Sequence, residues 1–224
     1  MAILEIDSIQ KSFDLKPILS DVYVACHTGE VIGLLGSNGS GKSTLLKIVF
    51  GLISAEYKFV RIDNVVKKEP TDLFKEISYL SQDSFIPRSF SVQKAIRLSI
   101  EKVKFDSFYA DEFIDLIKNK YVKELSGGEL RYLEILLVLS NNSKFVLLDE
   151  PYTGLSPIMI ERVNVLISKA SETKGIIVSD HNYRSVVKIS SKVVLLKNGK
   201  THLITDKKRL LELGYVSEAG LNLL

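Results

Sequence analysis

The nine residues Gly36 to Thr44 read GSNGSGKST and follow the apolar run Val31, Ile32, Gly33, Leu34, Leu35. A helix-forming run, Leu45 to Phe50, comes directly after them. This is the pattern G-x-x-x-x-G-K-[ST] between a short buried strand and a helix, the setting in which such a loop wraps a phosphate chain. Triphosphate oxygens must approach successive backbone N–H groups, so side chains are excluded where the chain curls round the anion, and Gly36, Gly39 and Gly41 meet that need. The amides of Ser37, Asn38, Ser40 and Thr44 belong to the same cradle, and the helix aims its open N-terminal amides at the anion. Lys42 brings an ammonium to the β- and γ-phosphates. Ser43 offers a hydroxyl to Mg²⁺, a hard cation that prefers oxygen ligands and substrate phosphates. A nucleoside triphosphate with Mg²⁺ is therefore the expected ligand.

The remaining chemistry-bearing residues lie at strand ends. Asp149 and Glu150 close the apolar strand in KFVLLDEP, where open α/β sheets bind ligands. Asp149 suits Mg²⁺, and Glu150 is placed to orient or deprotonate a water. Gln82 follows a strand at Ile77 to Leu80, and His181 follows a strand at Gly175 to Ser179, so these two are expected beside Asp149 on one edge of a sheet. At Leu125 to Glu129 the chain reads LSGGE before the helical run Leu130 to Leu139, a serine N-cap with open glycine amides. Phe13 can stack on a base or merely plug a sheet.

The rest of the chain sets the architecture. Residues 3–6, 22–25 and 58–62 read as strands of a small antiparallel sheet. Helical periodicity predicts helices over 92–103 and 107–119, a helical lobe inserted at roughly 83–135 in a single domain of residues 1–224. Phe85, Ile86 and Phe90 are apolar residues in a loop, which either fold back into that lobe or form a partner groove. A last strand at Val193 to Leu196, a hairpin turn at Asn198-Gly199 and a helix over 207–213 complete the pattern. The single cysteine, Cys26, reads as a small core residue. No apolar stretch approaches the roughly 20 residues of a membrane helix, and the start MAILEIDSIQ is unlike a signal peptide. A net charge of +3, with scattered basic residues, gives no footprint for nucleic acid.

With the phosphate loop, Gln82, LSGGE, VLLDEP and His181 in that order, the whole chain resembles an ATP-binding-cassette ATPase, the motor subunit of an ABC transporter. The resemblance implies an α/β P-loop NTPase fold with a RecA-like core, a small antiparallel β subdomain and a shortened helical subdomain. It implies Mg-dependent ATP hydrolysis with Glu150 as base, His181 at the γ-phosphate, Gln82 sensing Mg²⁺ and the membrane partner, and Phe13 on adenine. Ser126, Gly127, Gly128 and Glu129 would meet the nucleotide of a second cassette in a head-to-tail homodimer or heterodimer. Transmembrane permease subunits are the implied partners, with the chain peripheral on the cytoplasmic face of the inner membrane.

Three features depart from the family pattern. Ser156 stands where the loop crossing the dimer usually carries aspartate, the interval from Gln82 to Ser126 is short, and Arg131 is the sole arginine in the run LRYLEILLVL that follows LSGGE. The stretch SDHNYRSV is similar to that in cassettes of lipopolysaccharide export and, more distantly, of branched-chain amino-acid uptake. Two other readings stay open at this point: a soluble ATPase of the same type acting on nucleic acid or ribosomes, and an ATP-gated clamp with low turnover.

Overall fold

The computed structural model describes residues 1–221. Its centre is a six-stranded sheet in the order β11-β10-β4-β9-β8-β7, formed by β4 (Val31–Leu35), β7 (Ile77–Leu80), β8 (Phe145–Asp149), β9 (Gly175–Ser179), β10 (Lys192–Lys197) and β11 (Lys200–Ile204). All neighbours are parallel except the β10–β11 hairpin, which turns at Asn198-Gly199 with both residues at positive φ. β4, β8 and β9 are buried along their whole length, as strands covered on both faces must be.

Strand alternation then divides the core in two. Ile32, Leu34, Phe145, Leu147 and Ile177 point to one side, where they meet Leu45, Leu46, Ile48 and Val49 of α1 (Lys42–Phe50). Val31, Leu35, Val146, Leu148, Ile176 and Val178 point to the other, towards α6 (Gly127–Ser140), α7 (Pro157–Ser171) and α8 (Tyr183–Ile189). The helices α7 and α8 have no counterpart among the sequence expectations.

A second, antiparallel sheet lies over α1, with β1 (Ile3–Phe13) at its heart. β2 (Lys16–Leu19), β3 (Tyr23–His27) and β5 (Tyr57–Ile62) pair with β1, and the short β6 (Val65–Val66) pairs with β5. The three expected strands are present but longer. β2 and β6 are additional, each reached through a two-residue turn with positive φ, Asp14-Leu15 and Asp63-Asn64.

Between β7 and α6 the expected pair of helices is replaced by shorter pieces. α3 (Val92–Ser99) stops at Ile100, which is extended at φ −130°, ψ 156°. α4 (Phe105–Tyr109) and α5 (Glu112–Ile117) are separated because the Asp111 carboxylate accepts from the Phe113 and Ile114 amides and starts a new helix. A five-residue helix, α2 (Pro70–Phe74), precedes β7; α9 (Lys208–Glu212) and α10 (Glu218–Leu221) follow the last hairpin. No helix among the described residues is long and apolar enough to cross a membrane.

Cys26 is the core residue the sequence implies, fully buried under the antiparallel sheet. Burial, with the Glu30 carboxylate nearby, pushes its thiol up to about 12. Since the thiolate is the reactive species, alkylation at pH 8 is expected to run at least ~10²-fold slower in the native protein than in urea. Comparable native and unfolded labelling rates, followed by mass spectrometry, would contradict this placement.

Candidate active site

β4 delivers the chain into the phosphate loop at its carboxyl end, and the loop turns on glycine. A side chain at Gly36 would sit 2.7 Å from the Leu196 carbonyl, and Gly41, at φ +102°, would drive one to 2.8 Å from Ile18. Gly41 also occupies the N-cap of α1 without a side-chain cap, so the first amides of that helix remain open towards the loop. Lys42 is almost wholly buried, and its ammonium donates to the carbonyls of Gly36 (2.8 Å) and Ser37 (3.2 Å). Burial lowers its pKa, opposed by the charges of Glu150, Asp149 and Asp180.

Asp149, at the end of β8, has no exposed surface. Its Oδ1 accepts from the hydroxyls of Ser43 and Ser179, both at 2.9 Å, and its Oδ2 accepts from Tyr79 at 3.0 Å. Burial and the adjacent Asp149 carboxylate push the Tyr79 phenol far above its usual value, which keeps it a donor. Gln82 reaches the same cluster, its amide donating to Ser43 Oγ at 3.1 Å.

The next residue, Glu150, has φ +50°, a left-handed conformation that costs a non-glycine residue of order 1 kcal/mol. Its amide donates to the Ser179 carbonyl at 2.7 Å, and its own carbonyl receives Arg131 at 2.9 Å, so the bend is held from both sides. Beyond β9, the buried Asp180 carboxylate accepts from the Tyr152 and Asn182 amides, and His181 Nδ1 lies 3.4 Å from it, with the imidazole 59% exposed.

Phe13, Gly39, Lys42, Ser43, Gln82, Glu150 and His181 line one open cavity of about 590 Å³. Phe13 stands at its rim at the end of β1, half exposed. The LSGGE residues lie elsewhere: Ser126, Gly127, Gly128 and Glu129 do not line it. Ser126 caps α6 through the Glu129 amide (3.2 Å), while Glu129 returns a bond to the Ser126 amide (2.7 Å) and pairs with Lys120 at 3.0 Å. The Gly128 position faces the Gly154 carbonyl, so the loop after Glu150 packs on the start of α6.

Residues 19–153 match the sequence profile described as "ABC transporter". The chain belongs to the ABC transporter family. It is 30% identical to the lipopolysaccharide export system ATP-binding protein LptB of Haemophilus influenzae, over 89% of each chain. It is 29% identical to the protein of the same name from Escherichia coli K12, over 91% of this chain and 90% of that one. Among solved structures, an ATP-binding subunit of an ABC transporter superposes with a TM-score of 0.84 at 20% identity, covering 98% of both chains. A nucleotide-free cassette gives a TM-score of 0.80 at 22% identity over 100% of this chain and 98% of that one. These likenesses bear out the α/β P-loop ATPase fold and an ATP-binding role for the cassette.

Sequence reasoning passed over Arg131 except as a lone arginine. The structure buries it in the first turns of α6, where the guanidinium donates to the carbonyls of Ser81 (2.7 Å), Asp149 (2.8 Å) and Glu150 (2.9 Å). Its charge is met by the buried Glu134 at 3.6 Å, and Glu134 in turn accepts from the Ser84 hydroxyl and the Phe85 amide. The sequence signal was a charged pair at i and i+3 inside an otherwise apolar helix. Arg131→Ala strips the donor from three carbonyls and leaves Glu134 buried without its cation, so a loss of about 3–5 kcal/mol is expected in urea unfolding. A shift below ~1 kcal/mol would show that this clamp is dispensable to the fold.

Proposed function

We propose that this cassette is the Mg-dependent ATP-hydrolysing subunit of a transporter, closing on ATP with a second cassette to drive separate transmembrane subunits. The observation that carries this reading is the division of the machinery. Asn38 to Thr44 of the phosphate loop, Gln82, Glu150 and His181 line one open cavity with Asp149 buried behind Ser43, while the LSGGE residues lie outside it. A second cassette placed head to tail supplies what each cavity lacks.

The donor set fits Mg²⁺ held together with the nucleotide. Among the described residues no group of three or more His, Cys, Asp or Glu could hold a cation alone. One buried carboxylate, Asp149, and the Ser43 hydroxyl leave the other positions to phosphate oxygens and water, as Mg²⁺ prefers. Bound there, Mg²⁺ neutralises charge on the transferred phosphate. The chain's own residues do the rest. Lys42 exchanges its two loop carbonyls for the β- and γ-phosphates, Phe13 stacks on the adenine, and Gln82 reports occupancy through Ser43. Glu150 takes the proton of the attacking water, and His181, carried by the loop before α8, contacts the γ-phosphate.

The transmembrane partner is assigned to a mixed groove of about 340 Å³ in which Phe50, Phe74, Tyr79, Phe85 and Leu98 stand beside Ser78, Ser99 and Asn141. Of the three loop residues expected either to fold back into the lobe or to form a partner groove, Phe85 is half exposed, whereas Ile86 is buried and Phe90 packs into the lobe. The relatives named above belong by name to a lipopolysaccharide export system, which supports attachment to a membrane complex.

Glu150→Gln is expected to lower Mg-ATP turnover by about 10²–10⁴-fold while ATP still binds. In light scattering the same variant doubles its mass when Mg-ATP is added. Turnover that survives the substitution, or a wild-type protein that binds ATP without hydrolysing it, would overturn the assignment.

A further inference from the structure

The end of β9 acts as a template for the end of β8. Ser179 makes the first two contacts, its hydroxyl donating to Asp149 Oδ1 at 2.9 Å and its carbonyl receiving the Glu150 amide at 2.7 Å. The third comes from Asp180, whose Oδ2 accepts from the Tyr152 amide at 2.9 Å. The other oxygen, Oδ1, faces its own turn, where it accepts from the Asn182 amide at 2.8 Å and lies 3.4 Å from His181 Nδ1. One carboxylate thus divides its oxygens between two segments: the loop that leaves Glu150 and the turn that carries His181.

Burial gives this division its force. Asp180 has no exposed surface, and a carboxylate taken out of water needs donors on both oxygens. Neither segment can shift without stripping a donor from a buried charge, so a displacement of one is felt by the other. Each segment is also anchored on its far side. The Tyr152 ring is buried, with its hydroxyl donating to Asn164 on α7 at 2.7 Å, and the Gly154 carbonyl faces the Gly128 position at the start of α6. Asn182 caps α8, its side chain accepting from the Ser185 amide at 3.3 Å. Glu150 and His181 line the nucleotide cavity, and Asp180 stands behind them.

We infer that Asp180 is a positioning residue for hydrolysis: its carboxylate locks the loop after Glu150 to the turn of His181, so that the base and the γ-phosphate contact are set as one unit. This rests on the ATPase reading of the same cavity. Asp180 acts through the backbone amides of Tyr152 and Asn182, and none of its hydrogen bonds among the described residues goes to the phosphate loop. Its effect therefore falls on turnover rather than on the hold on ATP.

The test compares the wild type with Asp180→Asn, which keeps the shape and one acceptor oxygen but not the charge. Steady-state hydrolysis, binding of a fluorescent ATP analogue, thermal unfolding and amide hydrogen exchange are measured on both. Asp180→Asn is expected to lower kcat by about tenfold or more, the cost of a small misplacement, while KM and analogue affinity stay within about threefold. In the wild type the Tyr152 and Asn182 amides are expected to show protection within about tenfold of each other, and in the variant both lose it while the β8 amides do not. A smaller fall in kcat overturns the inference, even if Tm drops, and so does analogue binding that weakens as much as kcat falls. Wild-type protection further apart than that, or loss at one amide alone, overturns it too. If the variant does not fold, the wild-type exchange alone decides, because amides held by one carboxylate open together. A wild type without turnover would instead strike at the ATPase reading, and the exchange data would still decide whether Asp180 joins the two segments.

Discussion

The structure turns on one buried carboxylate. Asp149 is taken wholly out of water, and an ionised group so placed costs several kcal/mol unless donors replace its hydration. Three hydroxyls do so, from Ser43 at the start of α1, Tyr79 on β7 and Ser179 at the end of β9. Each hydrogen bond to a charged group is worth about 1.5–3 kcal/mol, so losing any one of them is felt. The sheet order β4-β9-β8-β7 follows the same demand. It places Asp149 in register with Ser179 on one side and sets Tyr79 beside Leu147 on the other. The carboxylate is thus oriented by the fold itself, through the same serine hydroxyl that Gln82 touches.

A second buried charge connects this centre to the surface. Arg131 lies on α6, the helix that begins at LSGGE, yet its donors go to the ends of β7 and β8. Glu134, one turn on, balances that charge and holds Ser84 and Phe85, the second of which lines the groove. Groove, Gln82 segment, Glu150 carbonyl and the first turns of α6 are therefore joined by hydrogen bonds through the Arg131–Glu134 ion pair. A displacement of the loop at Phe85 cannot be absorbed locally, because the groups it would uncover are charged and buried. Packing of the loop after Glu150 against Gly128 closes the circuit from the other end.

How much of this was legible in the sequence depends on whether chemistry or packing fixes a residue. The phosphate loop, the acidic pair after β8, Gln82 and His181 could be placed because each follows a short apolar strand, and strands of a parallel sheet deliver their carboxyl ends to one edge. The strands themselves showed as apolar runs. β2 and β6 did not, since Asp14-Leu15 and Asp63-Asn64 adopt the left-handed turn without the glycine that usually announces it. The lobe between β7 and α6 was read as two helices because its apolar spacing runs on past Ile100 and Asp111, where local backbone and a side-chain cap end each helix. Arg131 was missed for a different reason: it acts by bonding backbone groups far away in sequence, and such partners carry no residue code.

Ser156 shows how a departure from a family pattern is read through the fold. The position that usually carries aspartate caps α7 here, with the serine hydroxyl accepting from the Met159 amide at 3.4 Å and Pro157 opening the helix behind it. Serine and aspartate are nearly equal as N-caps, so the exchange keeps the cap that starts α7 beside the packing of Gly154 on Gly128. What it removes is a negative charge at a helix N-terminus, where a carboxylate gains a few tenths to about 1 kcal/mol from the helix dipole. The two roles of that position are thereby separated. Its shape role is kept within the chain, and only an electrostatic role, felt by whatever faces this loop, is given up.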